Sequence, residues 1–135
     1  MFNLSITTAE RIVFESDKVK FATLPTSTGE LTILPSHSPL MSVLGTGETI
    51  IATEEGESSV FVDGGLLLVS DDKVEVLTDT AEKATDLDEA KIEEAKRKAE
   101  KLLEEKPIDV DLAIVEAALK RELMKQKLVS KYKPS

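Results

Sequence analysis

The single histidine is the residue whose type most often carries acid–base or metal chemistry. His37 lies in the segment Leu34-Pro35-Ser36-His37-Ser38-Pro39-Leu40, between two prolines. A metal site or a general base needs further ligands or an orienting carboxylate, and the nearest carboxylate in the sequence is Glu30. The chain has no cysteine, which excludes thiol catalysis and thiolate metal ligation. We therefore interpret His37 as a turn-packing residue or a partner contact rather than a catalytic group.

Paired carboxylates are the next candidates for chemistry, because two adjacent acids can share a cation. The pairs are Asp71-Asp72, Asp86 with Asp88, and Asp109 with Asp111. Each pair lies at a turn or where a helical pattern begins, and aspartates at such places cap backbone amides without a metal. The sequence therefore favours structural roles for all three pairs.

A glycine pair and several serines are the remaining residues that could form an active site. Gly64-Gly65 follows one strand pattern and precedes another, so no helix N-terminus would face a phosphate there, and a bulge or tight turn is favoured. Ser5, Ser36 and Ser58 stand in no nucleophile-elbow pattern. The residues indicate no active site.

Residues 1–84 have the pattern of a β-rich domain. In Lys18-Val19-Lys20-Phe21 and in Lys73-Val74-Glu75-Val76, apolar and charged residues alternate, as in strands with one wet face. Leu66-Leu67-Leu68-Val69 does not alternate, which predicts a strand buried on both faces. Many short strands separated by Gly, Pro, Ser and Asp predict a sandwich or flattened barrel.

Residues 85–135 have a helical pattern instead, which makes the predicted fold class α+β, mainly β. The expected inward residues of the first helix are Ile92, Ala95, Ala99 and Leu102 or Leu103, and those of the second are Ile114, Ala117, Ala118, Leu119 and Leu123. Asp86, with Glu89 three places on, predicts the first N-cap, and Asp109 predicts the second. Lys106-Pro107-Ile108 ends the first helix near Glu105, and the second continues to about Lys131. So short a connection predicts an antiparallel helical hairpin.

Charge divides along the same boundary. Residues 1–84 hold five basic and fourteen acidic residues, which accounts for the whole net charge of −9, and residues 85–135 hold twelve of each. A surface this acidic disfavours nucleic acid as a partner. No stretch approaches the roughly 20 apolar residues of a membrane-spanning helix, so a membrane would be met through another protein. The last helical turns are basic, through Lys120, Arg121, Lys125, Lys127, Lys131 and Lys133. Cations at a helix C-terminus or a partner-binding patch would each explain them.

Several segments resemble one protein family. The segment 29–40, Gly-Glu-Leu-Thr-Ile-Leu-Pro-Ser-His-Ser-Pro-Leu, resembles the G-E-L-G-I-x-P-G-H-x-P-L segment of bacterial ATP synthase epsilon subunits. Residues 61–69, which contain the glycine pair, resemble a strand of that family, and residues 86–99 resemble its first tail helix. The segments occur in the family's order along essentially the whole chain.

The resemblance implies a ten-stranded sandwich followed by a helical hairpin, in a non-catalytic subunit of the central stalk of the rotor. Its implied partners are the gamma subunit and the c-ring, in a complex at the cytoplasmic face of the inner membrane that couples ion flow to ATP synthesis. The partner-binding residues implied by the matching segment are Glu30, Leu34, Ser36, His37 and Leu40. Ser36 and Thr32 replace glycines of the motif, and glycine is used where φ is positive, so these replacements are expected to alter backbone angles.

The resemblance also implies a regulatory tail that leaves the hairpin and presses its basic end toward the catalytic alpha and beta subunits, hindering ATP hydrolysis. The implied inhibitory contacts are Lys120, Arg121, Lys125 and Lys127. The largely alanine faces of the hairpin predict modest stability, because an alanine methyl contributes less on burial than the ~1.5–3 kcal/mol of a leucine or isoleucine. A hairpin of that stability is in the range of a two-state switch.

Some members of the family bind ATP on the folded hairpin through an I/L-D-x-x-R-A motif. The matching stretch here begins Leu87-Asp88 and has Lys91 for the arginine and Ile92 for the alanine. Lysine lacks the planar fork that grips phosphate in a bidentate manner, so a capped helix start is favoured over ATP binding. Two alternatives to the rotor subunit are a free-standing nucleotide sensor and a small hydrolase or isomerase. The second would require a catalytic cluster that the residues do not supply.

Overall fold

The computed structural model describes residues 1–132, so that Lys133 of the basic end lies outside the described residues. Within them, seven strands precede a short 3₁₀ turn and two helices. The strands are β1 Phe2–Thr7, β2 Ile12–Thr26, β3 Gly29–Ile33, β4 Leu40–Thr53, β5 Gly56–Ser70, β6 Lys73–Leu77 and β7 Thr80–Lys83. The 3₁₀ turn spans Ala84–Asp86, and the helices are α1 Glu89–Glu105 and α2 Leu112–Tyr132. The chain divides into two compact units between Ala84 and Thr85.

The strands of the first unit form one closed sheet. The strand order is β1-β6-β5-β4-β2-β3, β7 pairs with β5, and β1 also pairs with β2. The β1–β2 pairing closes a ring, because both strands are also joined through β6, β5 and β4. β1 and β6 run parallel, and the other pairs are antiparallel. The resulting barrel-like sandwich confirms the predicted fold class.

The core of the sandwich consists of alternate residues of these strands. Leu4, Ile6, Val19, Leu24 and Ile51 are fully buried within it. Each lies two or more residues from the next inward side chain of its strand, as the period of 2 requires. Five valines and one leucine of β5 and β6 also belong to this core, namely Val60, Val62, Leu67, Val69, Val74 and Val76.

The strand count differs from the expected ten because three strands are long and change partners along their length. β2, β4 and β5 contain 15, 14 and 15 residues. β5, for example, pairs with β7 over Val60–Asp63 and with β6 over Leu66–Ser70. Counting each long strand as two segments restores the expected ten.

The glycine pair lies inside β5, where the strand changes partner from β7 to β6. The register between β4 and β5 continues through it without a shift, so the predicted bulge or tight turn is wrong. Gly64 and Gly65 both have positive φ, 73° and 116°. A Cβ built on Gly65 would overlap the Leu77 carbonyl oxygen and would lie 2.7 Å from Thr78 Cα. Only glycine allows β5 and the end of β6 to approach this closely.

The two helices of the second unit end as predicted but begin at different caps. Asp88, not Asp86, is the N-cap of α1, and its carboxylate accepts from the amides of Ala90 and Lys91 at 2.9 and 3.3 Å. Asp86 instead lies in the preceding 3₁₀ turn. Asp111, not Asp109, caps α2 by accepting from the Ala113 amide at 3.0 Å. In both cases the structure uses the second aspartate of an Asp-x-Asp sequence.

α1 ends at Glu105 because Lys106 takes a left-handed conformation, with φ 48°, and its amide donates to the Leu102 carbonyl. Such a C-cap closes the last turn before a proline that cannot continue the helix. Ile92 and Ala99 of α1 are buried, as predicted. On α2 the predicted face is partly wrong, because Ile114 and Leu123 are 66% and 42% exposed. The buried residues there are Val115, Leu128 and Val129.

Candidate functional site

The segment that links β3 to β4 is a short exposed loop, defined here as the 34–39 loop. Leu34 at its start is 57% exposed, and Ser36 in its turn has φ 62°. The Ser36 amide donates to Asp72 Oδ1 at 2.7 Å, which ties the loop to the turn between β5 and β6. His37 is half-buried, and its Nδ1 donates to the Ser38 carbonyl oxygen at 2.7 Å. The loop thus offers an apolar residue and an imidazole on a tethered backbone.

Two further residues of the matched segment lie on the flanking strands. Glu30 is exposed on β3, which is an edge strand, and pairs there with Pro25 of β2. Leu40 begins β4 and packs against the hydrophobic core. Because successive side chains of a strand alternate, the next residue, Met41, faces outward and is 70% exposed. The structure therefore brings Glu30, Leu34, Ser36 and His37 to the surface and leaves Leu40 as a support beneath it.

The two replaced glycines have different structural outcomes. Ser36 keeps the positive φ for which glycine is usual, so its backbone does not relax to an ordinary angle. Thr32 lies within strand β3 and pairs with Thr23, and the two hydroxyls are 2.9 Å apart. A hydroxyl pair across two strands is a favourable contact for β-branched residues. The expected change of backbone angle is therefore not seen at Ser36.

A second surface was not predicted: a line of exposed apolar side chains across neighbouring strands. Val43 of β4 pairs with Leu66 of β5, which pairs with Leu77 of β6. The line reaches Ile12 of β2 through Thr7 of β1. Val43, Leu66, Leu77 and Ile12 are 55%, 40%, 43% and 57% exposed, and we call these four residues the apolar row. Contiguous exposed apolar side chains on a sheet face are typical of surfaces that bind another molecule.

The sequence contained a signal for this surface that was misread. Leu66-Leu67-Leu68-Val69 was predicted to be buried on both faces, and that prediction is wrong. Leu67 and Val69 are buried, whereas Leu66 is exposed and Leu68 is half-buried. A strand also lacks alternation when one of its faces packs in the core and the other is an apolar surface that binds a partner. Non-alternating strands in an otherwise alternating domain are therefore candidates for a docking face.

The four predicted inhibitory cations form two pairs on α2. Lys120 and Lys127 are exposed and lie seven residues apart, which places them on one side of the helix. Arg121 and Lys125 are half-buried and four residues apart, on another side. Lys125 Nζ lies 3.6 Å from Glu122 Oε1. In the folded hairpin, Lys120 and Lys127 are therefore accessible to solvent, whereas Arg121 and Lys125 are only partly accessible.

The residues of the ATP-binding motif lie around the start of α1. Leu87 is buried, Lys91 is exposed, and the Asp88 carboxylate is engaged as the N-cap. A nearby cleft of about 510 Å³ lies between the first turns of α1 and the last turns of α2. Its charged lining residues are Glu89 and Glu93, which would repel phosphate. ATP binding stays a prediction, and this geometry does not favour it.

Among residues 1–132 there is no group of three or more His, Cys, Asp or Glu side chains placed to hold a metal ion. Neither helix described is both long and apolar enough to cross a membrane.

Comparison with known proteins gives one consistent family. Residues 1–84 match the family model described as "ATP synthase, Delta/Epsilon chain, beta-sandwich domain". A protein named ATP synthase epsilon chain from Bordetella parapertussis is 43% identical over 118 residues, covering 87% of this chain and 84% of its own length. The protein of that name from Dehalococcoides mccartyi is 42% identical over 129 residues, covering 95% of this chain and 91% of its own.

Solved structures agree at the level of the fold. A chain in the cryo-EM structure of Euglena gracilis mitochondrial ATP synthase superposes with a TM-score of 0.79 at 22% identity, covering 93% of this chain and 79% of that one. A chain in the central stalk and c-ring structure of the Tetrahymena thermophila mitochondrial enzyme gives 0.58 at 16% identity, covering 96% and 93%. At these identities the likeness indicates a shared fold.

Proposed function

Since the chain belongs to the delta/epsilon-chain family of ATP synthase, a family of non-catalytic stalk subunits, we propose that it is the epsilon-type rotor subunit that binds gamma and the c-ring. In this role it couples ion translocation to ATP synthesis. It is held at the cytoplasmic face of the membrane through the complex. The sandwich carries the docking surfaces, and the helical hairpin regulates hydrolysis.

The apolar row is the observation that carries the docking proposal. An exposed line of Val43, Leu66 and Leu77 across three strands, with Met41 beside it, is a face that water solvates poorly. A partner that covers it gains the free energy of removing that apolar area from water. We assign this face to gamma. Because the sandwich carries the net charge of −9, the matching gamma surface should be apolar at its centre and basic at its rim.

The 34–39 loop and edge strand β3 form the second docking surface, which we assign to the c-ring. Leu34, His37 and Ser36 of the loop, with Glu30 beside it, supply an apolar contact, hydrogen-bonding groups and a carboxylate. Leu40 packs against the core and fixes the end of the loop from beneath. The two surfaces together bind one subunit to two rotor components, as a coupling element requires.

Docking is tested by reconstitution of the complete enzyme with variant chains. Leu66→Gln with Leu77→Gln replaces two exposed leucines by polar side chains of similar size without touching the core. We expect loss of co-purification with gamma and at least tenfold weaker coupling of ATP hydrolysis to ion pumping, since a hot-spot truncation costs about 2 kcal/mol or more. Ile108→Gln is the matched control, because Ile108 is also exposed but lies at the hairpin tip. Normal binding by the double variant would contradict the assignment.

The regulatory proposal concerns the basic end of α2. We assign Lys120, Arg121, Lys125 and Lys127 as the contacts that hinder hydrolysis when the tail leaves the hairpin. Its support is the half-buried position of Arg121 and Lys125, which become available to acidic partner segments only when the hairpin opens. The exposed pair alone would act in both states and could not switch the enzyme.

Mutation can distinguish the contributions of the two cation pairs to inhibition. In the reconstituted enzyme, Arg121→Gln with Lys125→Gln should raise the ATP hydrolysis rate more than Lys120→Gln with Lys127→Gln, although each change removes two positive charges. The rate of hydrolysis per complex is the measurement. An unchanged rate after neutralising all four cations would refute the inhibitory role.

A further inference from the structure

The turn between β5 and β6 has an unusual backbone for its sequence. Ser70 pairs with Lys73, so Asp71 and Asp72 form a two-residue hairpin loop. Both have positive φ, 46° and 58°. A loop with two such residues favours glycine at its second position, where Asp72 stands. A non-glycine residue with positive φ keeps that conformation only when the surrounding structure holds it, and such residues cluster at functional sites.

Asp72 is fixed by the sandwich and reaches out to the 34–39 loop. Its carbonyl oxygen accepts from the Asn3 amide at 2.9 Å, which binds the turn to the start of β1. Its Oδ1 accepts from the Ser36 amide at 2.7 Å. The carboxylate is therefore presented to the loop by a backbone held on both sides by strands. Asp71, its neighbour in the same turn, has no side-chain bond to the loop among the hydrogen bonds of the described residues.

Ser36 also occupies a position where glycine is usual, with φ 62°. Two residues in glycine-favouring conformations are thus joined to each other by one short hydrogen bond. A hydrogen bond from an amide to a carboxylate is stronger than one between neutral groups. It can therefore stabilise the positive φ of Ser36, which is unfavourable for a residue other than glycine.

We propose that Asp72 is the positioning residue of the 34–39 loop: its carboxylate holds the Ser36 amide and fixes the loop in the shape that docks. The consequence for docking rests on the proposed function, whereas the anchor can be observed in the free chain. The physical gain is preorganisation. A loop already held in its bound shape loses less conformational freedom when a partner covers Leu34 and His37.

The anchor is tested by amide hydrogen exchange measured by NMR on the full chain. Asp72→Gly removes the carboxylate and leaves a residue that suits the positive φ, so the hairpin should persist. We expect the Ser36 amide to exchange roughly tenfold faster, as loss of one charge-assisted hydrogen bond predicts. The Asn3 amide should keep its protection, which shows that the turn is intact.

Asp71→Gly is the matched control, since it removes the same side chain and charge from the same turn. It should leave the Ser36 exchange rate within about twofold of the original, because Asp71 does not bond to the loop. Asp72→Asn keeps an acceptor oxygen and should restore part of the protection. Equal Ser36 exchange in Asp72→Gly and the unaltered chain, or equal acceleration by Asp71→Gly, would overturn the proposal.

Binding to the reconstituted rotor then tests the docking consequence. We expect Asp72→Gly to weaken binding about five- to tenfold and Asp71→Gly to leave it nearly unchanged. Faster Ser36 exchange with unaltered rotor binding would overturn the role in docking. If the unaltered chain itself failed to bind the rotor, the proposed function would be wrong, while the exchange rates would still decide whether Asp72 anchors the loop.

Discussion

The sandwich and the hairpin keep their structures by different means. The sandwich core contains large side chains that are completely buried, among them Leu4, Ile6, Leu24, Ile51 and Leu67. The buried residues of α1 and α2 are fewer and include an alanine: Ile92, Ala99, Val115, Leu128 and Val129. Because the free energy gained on burial scales with the apolar area buried, we expect burial to stabilise the sandwich more than the hairpin. The difference supports the proposal that the sandwich docks permanently and that the hairpin changes state.

Helix α1 is also stabilised locally, by ion pairs along its exposed surface. Along α1, Glu93 pairs with Arg97 and Glu94 with Lys98, each at i,i+4 on the exposed surface. Such pairs stabilise a helix by about 0.2–0.5 kcal/mol each without requiring a partner helix. We infer that α1 would keep its helical form in the open state proposed for the hairpin. The hairpin is therefore weak between its helices rather than within them.

The largest expected effect is at the point where β5 changes partner. Gly65→Ala would place a Cβ against the Leu77 carbonyl oxygen and Thr78 Cα, both of them backbone atoms that cannot move aside. We expect a loss of more than about 4 kcal/mol of unfolding free energy, measured by chemical denaturation. Gly56→Ala is the control, since its φ is also positive at 122° but nothing lies within 4 Å of the added Cβ. It should cost about 1–2 kcal/mol, and equal losses for the two variants would contradict the steric argument.

The same substitution in each region tests the comparison directly. Val62→Ala in the sandwich, where Val62 is fully buried, should cost about 2 kcal/mol because the tight core cannot close over the cavity. Val115→Ala in the hairpin, where Val115 is 8% exposed, should cost about 1 kcal/mol. Native-state hydrogen exchange of the amides in β5 and in α2 measures the stability loss of each unit separately. A larger loss at Val115 would refute the ranking of the two regions.

Two buried threonines of the sandwich should respond in opposite directions to the same change. Thr49 is fully buried, and its hydroxyl has no hydrogen-bond partner among the described residues. Thr49→Val removes that unsatisfied oxygen and should stabilise the chain by about 1 kcal/mol. Thr78→Val is the contrast, because the Thr78 hydroxyl accepts from the Asp63 amide at 3.3 Å and donates to the Thr80 carbonyl at 3.1 Å. It should destabilise by about 1–2 kcal/mol, with both values obtained by thermal denaturation.

The smallest expected effect concerns a polar side chain within the hairpin. Glu122 is half-buried on α2, and its Oε2 is buried without a hydrogen-bond partner among residues 1–132. Glu122→Leu removes that oxygen but also removes an ion-pair partner of the half-buried Lys125 cation, whose Nζ lies 3.6 Å from Glu122 Oε1. It should therefore destabilise the folded hairpin by about 0.5–1 kcal/mol, measured by hydrogen exchange of the α2 amides. Glu116→Leu, at an exposed position of the same helix, is the control. Equal protection of the α2 amides in Glu122→Leu and in the unaltered chain would show that the ion pair does not stabilise the hairpin.

Prediction from sequence worked where one local rule decided the outcome. Pro107 removes a donor and constrains Lys106, so an end of α1 near Glu105 was predictable. The N-caps were not, because Asp86 and Asp88, like Asp109 and Asp111, are equally good cap residues two positions apart. The choice between them depends on how the preceding chain leaves the sandwich or the interhelical turn, which no local pattern records. The 3₁₀ turn that contains Asp86 is an example.

The candidate surfaces were predictable only in part. The exposed loop followed from Pro35, Pro39 and a family motif, but its anchor did not, because Ser36 and Asp72 are 36 positions apart in the chain. The apolar row was hidden for a similar reason. Val43, Leu66 and Leu77 become neighbours only through strand register, and register is set by the whole sheet.

The closure of the sheet has a kinetic consequence. β1 pairs in parallel with β6, so that Asn3 lies beside Lys73, and the barrel cannot close until nearly the whole domain has been synthesised. Folding dominated by such distant pairings is slow, whereas a helical hairpin forms from neighbouring residues. During that interval the unpaired strands β4 and β5 would expose their apolar side chains to other nascent chains. Early arrival of a binding partner, or of a chaperone, would therefore raise the yield of this subunit more than that of an all-helical protein of equal size.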